Sequence, residues 1–284
     1  MKKLTQRLLI FFLGLPVLIV VVLFVPGRNH LLLNLLVVLF SALGALEFQN
    51  MLKQKDLVIQ VPEAAILGGL IPAIACAVVS FNFSRLGSYS VFMLASSWLI
   101  VSRIFSAKDQ DSFINRTAAG FYVMIYPGIF LAWIVAMSLF TEPGITIVVF
   151  LLMVFLNDSA AWAAGMLFGK GNRGIIPASP NKSIAGFIVG ILASVAVGFG
   201  GVMLLPDVFK PLRLAEIPAG ILLGLCTGIA ATLGDLGESV LKRSAGIKDS
   251  GGIIPGRGGI LDSIDSVALA APVFYLVFRL LFIS

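Results

Sequence analysis

Long apolar stretches separated by polar connections run the length of the chain. They lie at Leu8 to Val25, Leu31 to Leu46, Ala64 to Phe81, Tyr89 to Val101, Ala118 to Leu139, Gly144 to Phe168, Ser183 to Leu205, Ile217 to Leu233 and Val267 to Ile283. A helix needs about 20 apolar residues to cross a hydrocarbon core. The pattern therefore predicts an all-α, polytopic transmembrane helix bundle of about nine spans. The first stretch follows Lys2, Lys3 and Arg7 as a signal peptide would. It is long, lacks a small-residue cleavage site before Pro26, and is followed at once by a second span, so an uncleaved helix is expected.

The fourth stretch is short, and whether it crosses decides the orientation of everything after it. With nine spans and a cytoplasmic N-terminus, only Arg28, Arg85, Lys210, Arg213 and Arg279 of the 20 basic residues fall outside. Dropping the fourth span puts most of them outside, against the positive-inside bias. Nine spans, N-terminus inside and C-terminus outside, is the better count. The expected organisation is N-terminal helices over residues 1–140, then a C-terminal region over 141–284 carrying cytoplasmic loops at 157–183 and 234–266.

Composition agrees with this picture and excludes others. Of 284 residues, 59% are apolar and 12% charged, with a mean hydropathy of +1.05. Soluble domains run near 45–50% and about 25%, so an ordinary soluble enzyme, a disordered chain and a disulfide scaffold are excluded. The net charge of +6 follows from basic cytoplasmic loops and calls for no nucleic acid. Cys76 and Cys226 lie in apolar runs and read as packing residues. Pro16, Pro72 and Pro127 fall within helices, where a proline kinks the backbone. Nothing else in the first half suggests chemistry.

Polar residues gather in the second half. Asn157-Asp158-Ser159 interrupts an apolar run, with Asp158 roughly 15 Å from the helix end at Phe168. A carboxylate at that depth needs water, a cation or a polar partner; the functional reading is favoured over a helix break satisfied by neighbouring Ser and Asn groups, because no other span carries an acidic residue so deep. Ser179-Pro180-Asn181-Lys182-Ser183 then precedes the seventh span. Hydroxyls and a lysine ahead of a helix suit a phosphate, although the spacing departs from the Walker A pattern and a loop cap accounts for it equally well.

The second polar region holds Asp235, Glu238, Lys242, Arg243, Lys248, Asp249, Arg257, Asp262 and Asp265 among several glycines. Asp262 and Asp265 are three apart and share a helix face. They also suit an N-cap and a first helical turn. As a functional set, Asp235, Asp262 and Asp158 or Asp265 would hold a divalent cation, and carboxylates with substrate phosphates suit Mg²⁺. Imidazole is excluded as a ligand because the only histidine is His30, on the opposite side.

These residues resemble the integral-membrane CDP-diacylglycerol synthases, or phosphatidate cytidylyltransferases. Their C-terminal signature is matched by Ser239, Lys242-Arg243, Lys248-Asp249, Gly251, Ile254-Pro255-Gly256, Gly258-Gly259, Asp262 and Asp265. Asn157-Asp158-Ser159 with Ala161-Trp162, and Ser179 to Ser183 with Gly186, resemble the family's other polar stretches. Two positions depart: the family histidine is Arg257 here, and the arginine after its first terminal aspartate is Ser263. The resemblance implies Mg²⁺-dependent transfer of a cytidylyl group from CTP to phosphatidate, with a homodimer and a bacterial inner membrane as its setting, and leaves a second cation such as K⁺ open. Asp235, Asp262, Lys248 and Asp249 are then the expected catalytic residues. Ser179, Asn181, Lys182, Ser183, Lys242, Arg243, Arg257 and Asp158 would contact substrate, and Asp235, Asp262 and Asp265 the metal. A CTP-dependent polyprenol or phytol kinase is the nearest alternative, followed by a transporter using Asp158 and by a purely structural subunit.

Overall fold

The computed structural model describes residues 13–83, 86–106, 110–211, 214–256 and 258–282. The helices are α1 (Leu15–Phe24), α2 (Gly27–Lys53), α3 (Val61–Phe81), α4 (Leu86–Ser106), α5 (Gln110–Val123), a π-helical turn (Met124–Ile129), α6 (Phe130–Met137), α7 (Pro143–Phe168), α8 (Ile184–Leu204), α9 (Glu216–Ser244) and α10 (Leu261–Leu281). No strand occurs among the described residues, only isolated bridges. Seven helical stretches are long and apolar enough to cross a bilayer, and two shorter apolar ones lie at Leu15–Phe24 and Ser90–Phe105. The nine predicted spans are thus all helical. The start of the first, at Leu8, lies outside the described residues.

The chain forms two compact units. The first comprises Met1–Ser138 and Ser244–Ser263, the second Leu139–Arg243 and Ile264–Ser284. The stretch Ser244–Ser263 therefore packs with the N-terminal helices.

In the first unit α2 and α3 meet through small residues. A Cβ on Gly68 would lie 2.3 Å from that of Ala45, so the α3 backbone meets α2 with only the alanine methyl between them. Close approach of this kind is how membrane helices gain packing without a hydrophobic drive. Ser41 Oγ lies 2.7 Å from the carbonyl of Gly68 and also meets that of Pro127. Pro72 has no N–H to give the Gly68 carbonyl four residues earlier, which leaves that oxygen for Ser41, while Pro127 sits in the π-helical turn. Pro72 is inside α3, whereas Pro16 begins α1 and fits its first turn. Arg103 of α4, which is buried, pairs with the partly buried Glu63 of α3.

In the second unit an aromatic stack fills the space beside α10. Phe150 and Phe274 have centroids 5.1 Å apart, Phe140 and Phe278 4.7 Å, and Phe209 and Phe282 5.5 Å. The α8 and α9 backbones are in contact: a Cβ on Gly224 would lie 2.4 Å from the carbonyl oxygen of Ser194.

The polar stretches are more helical than the sequence suggested. Asn157-Asp158-Ser159 does not break α7, which runs on to Phe168, and residues 234–244 are the last turns of α9. The irregular segments are 169–183 and 245–260, narrower than the loops expected at 157–183 and 234–266. The reason is local. Asn157 Nδ2 donates to Ser194 Oγ and to the Gly228 carbonyl, both at 3.1 Å, and Thr232 Oγ1 lies 3.3 Å from Asn157 Oδ1. Its amide is satisfied across the α8 and α9 seam, so the helix has no need to open.

Candidate active site

In the second unit the site is built where α9 passes α10. A Cβ on Gly234 would lie 2.5 Å from the Asp265 backbone oxygen, so only glycine permits this approach. The next residue is Asp235. Across the contact, Asp265 is 7% exposed and lies within Coulombic reach of Asp235, Asp158 and Glu238. Asp265 Oδ1 accepts from the Ser266 N–H at 2.6 Å, and Ser266 Oγ lies 3.3 Å from Asp158 Oδ1. With Asn157 turned toward α8 and α9, its neighbour Asp158 is presented to α10.

Carboxylates that act on one another in this way favour nearby positive charge. Two lysines supply it. Lys182, just ahead of α8, pairs with Asp235, and Lys242 pairs with Glu238 one helical turn earlier on α9. Glu238 is fully buried, which makes its lysine more than a surface partner. Ser183 is itself buried, and its hydroxyl accepts from the Gly186 N–H at 3.0 Å as the N-cap of α8. The 169–183 segment closes on itself: Ile184 N–H donates to the Asn172 carbonyl at 3.1 Å, and Gly171 and Gly174 adopt φ of +84°. Arg243 Nε reaches the Ala178 carbonyl at 3.3 Å, joining the end of α9 to this segment. Ser179 is half-buried and Asn181 exposed.

In the first unit the 245–260 segment is organised around two carboxylates. Asp262 Oδ2 accepts from the N–H of Gly259 at 2.7 Å, the N–H of Ser250 at 2.9 Å and the Ser250 hydroxyl at 3.0 Å. The helix begins at Leu261, so Asp262 lies in its first turn and is not its N-cap, and its carboxylate is held instead by the segment that precedes the helix. Gly258 at φ +117° stands where a Cβ would be 2.4 Å from Asp262 Oδ2. Lys248 and Asp249 are exposed on the same segment, and Arg257 lies outside the described residues.

The second carboxylate is Glu47 of α2, 5% exposed, which accepts from the N–H groups of Ile260 and Leu261 and faces the Ser250 hydroxyl. In the sequence the apolar run ends at Leu46 and the first half carries no other sign of chemistry. The helix continues to Lys53 and buries Glu47. Its one sequence signal is an acidic residue joined directly to an apolar run. Glu238 was also missed as a site residue, although it lies three residues after Asp235 and four before Lys242.

No three His, Cys, Asp or Glu side chains among the described residues converge as a ready-made metal cage. The crowding of Asp158, Asp235 and Glu238 around buried Asp265 is a place where added positive charge is favourable.

A multi-pass helical membrane protein with buried carboxylates, paired lysines and glycine-rich polar segments is equipped to handle phosphate-bearing substrates. The chain belongs to the Cytidylyltransferase family, whose pattern it matches over residues 5–281. It is similar to phosphatidate cytidylyltransferases of several bacteria. Identity is 42% over 137 residues with that of Synechocystis, covering 46% of this chain and 45% of the relative. It is 32% over 226 residues with that of Helicobacter pylori, covering 73% and 79%, and 32% over 184 residues with that of Thermotoga maritima, covering 64% and 66%. The chain thus spans less than half of the Synechocystis relative and more than three quarters of the Helicobacter one.

Proposed function

We propose that this chain transfers the cytidylyl group of CTP to phosphatidate, giving CDP-diacylglycerol and pyrophosphate. The observation that carries the reading is the second unit's group of Asp158, Asp235, Glu238 and Asp265 beside Lys182 and Lys242, in a chain of the Cytidylyltransferase family. In the reaction a phosphate oxygen of phosphatidate forms a bond to the α-phosphorus of CTP. The bond from that phosphorus to the oxygen bridging to the β-phosphate breaks, and pyrophosphate leaves with the electron pair. The nucleophile is already ionised near neutral pH, so the step needs positive charge and alignment more than a strong base. The lack of any histidine but His30 is compatible with this.

Lys182 and Lys242 are assigned to the phosphates, exchanging their carboxylate partners for substrate oxygens as CTP enters. Arg243, Lys248 and Arg257 add charge from the flanking segments, with Ser179 and Asn181 as polar contacts. Arg257 is further proposed to take over phosphate charge that the family arginine, replaced here by Ser263, no longer supplies. Asp235 and Asp265 would hold Mg²⁺, with Asp262 as the third acidic group of the signature; the ion would supply neutralisation of the phosphate charge. Asp158 is proposed to face the water-filled side of the site, and Asp249 to orient the segment that carries Lys248. The setting is a bacterial inner membrane, with residues 169–183 and 245–260 on the cytoplasmic side and the chain working as a homodimer.

The test is an assay of purified protein in detergent micelles with CTP, Mg²⁺ and phosphatidate, following pyrophosphate and CDP in parallel beside Asp262→Asn. Pyrophosphate with a new CDP-lipid, lost in the variant, is expected. CDP without pyrophosphate, formed when a polyprenol replaces phosphatidate, would assign the chain to lipid kinases instead.

A further inference from the structure

Glu47 is a buried carboxylate on a helix otherwise devoted to packing, and the first unit gives it an unusual set of partners. Oε1 accepts from the N–H of Ile260 at 2.9 Å, and Oε2 accepts from the N–H of Leu261 at 2.8 Å and faces Ser250 Oγ at 2.9 Å. Ile260 and Leu261 are the entry to α10, where backbone N–H groups have no partner within their own helix. A carboxylate there satisfies two of them and meets the positive end of the helix dipole. Glu47 forms no ion pair among the described residues, so these donors are what offsets the cost of burying it.

The surrounding sequence is shaped to admit this side chain. A Cβ on Gly251 would lie 2.3 Å from Glu47 Oε1, and one on Gly259 would lie 2.2 Å from Oε2. Two glycines of the polar segment are therefore explained by a residue some two hundred positions earlier. Ser250 joins Glu47 to Asp262: its hydroxyl is 2.9 Å from the one and 3.0 Å from the other, and the Asp262 N–H reaches the same oxygen at 3.3 Å. A hydroxyl has one proton to give, so its bond to either carboxylate depends on where the other stands.

We propose that Glu47 is a positioning residue, which clamps the entry of α10 and through Ser250 fixes the carboxylate of Asp262. It acts through Asp262 and touches no substrate. The role in turnover rests on the cytidylyltransferase reading above; the clamp itself does not.

The test combines two readouts on the full-length protein in micelles. Hydrogen exchange followed by mass spectrometry, without substrate, reads the peptide spanning residues 250–262. Steady-state kinetics with CTP and phosphatidate separates kcat from KM. Glu47→Gln keeps the shape and removes the charge, and Ser250→Ala keeps Glu47 and removes the bridge. In Glu47→Gln, exchange over 250–262 is expected to rise by about tenfold or more while peptides of α8 and α9 stay unchanged. kcat should fall by about tenfold with KM for CTP altered less than about threefold, the mark of a misplaced group rather than a lost substrate contact. Ser250→Ala should move both readouts the same way by less, and the double variant should add little to Glu47→Gln. Unchanged exchange in both single variants would overturn the clamp, and faster exchange with unchanged kcat would overturn its role in turnover. A wild type that forms no CDP-lipid while the variants still exchange faster would overturn the functional reading and leave the clamp standing.

Discussion

Lys182 and Asp235 form an ion pair at the edge of the buried carboxylates, and the account gives the lysine a second task on the phosphates of CTP. Lys182→Met should lower kcat/KM for CTP by about a hundredfold or more, the scale on which a lost electrostatic contact to developing charge is felt. A near-normal value in the micelle assay would remove Lys182 from the phosphates. Lys242 has a different weight, because its partner Glu238 is fully buried. Lys242→Met strands that carboxylate, and breaking a buried pair from one side costs about 3–5 kcal/mol. The variant should therefore inactivate at a clearly lower temperature in detergent, and adding Glu238→Gln should restore most of the loss. If the double variant is as unstable as the single, charge burial is not the cause.

Contacts between elements explain which parts of this arrangement were legible in advance. Helix positions followed from apolar runs, because a chain in lipid has to satisfy its backbone internally. The carboxylates at 158, 235, 262 and 265 stood out because each interrupts or borders such a run. Glu47 did not, since an acidic residue just beyond Leu46 looks like an ordinary helix end until the Ile260 and Leu261 N–H groups are seen pointing at it. The continuity of α7 through Asn157 was hidden for a similar reason: its amide is satisfied by Ser194 and Gly228, far away in sequence. The α9 and α10 contact can be tested directly. Gly234→Val places side-chain atoms against the Asp265 backbone, where a Cβ alone would be 2.5 Å from an oxygen. It should cost about 1–3 kcal/mol as overpacking and reduce activity more than its effect on thermal inactivation explains. Gly237→Ala, three residues on with nothing within 4 Å of the added Cβ, should behave like wild type. Equal activity in the two variants would mean that the spacing of these helices does not matter to the site.

The proposed reaction requires the polar segments to face the compartment that holds CTP. The proposed sidedness, argued from the basic residues of the polar segments, would put 169–183 and 245–260 in the cytoplasm. Single cysteines at Lys170→Cys and Lys210→Cys, with Cys76 and Cys226 replaced by serine, should therefore react with an impermeant thiol reagent from opposite faces of the membrane. Labelling of both from one face would mean that α8 does not cross, and labelling of Lys170→Cys from the outer face would contradict the nine-span count. The most direct test of the central claim follows the phosphorus atoms of CTP. Incubated with the purified protein, Mg²⁺ and phosphatidate, CTP radiolabelled at its α-phosphorus should carry the label into the lipid, while label at the γ-phosphorus should leave entirely as pyrophosphate. Lipid labelled only from the γ position would mean transfer of a terminal phosphate, and the cytidylyl transfer proposed for this chain would be wrong.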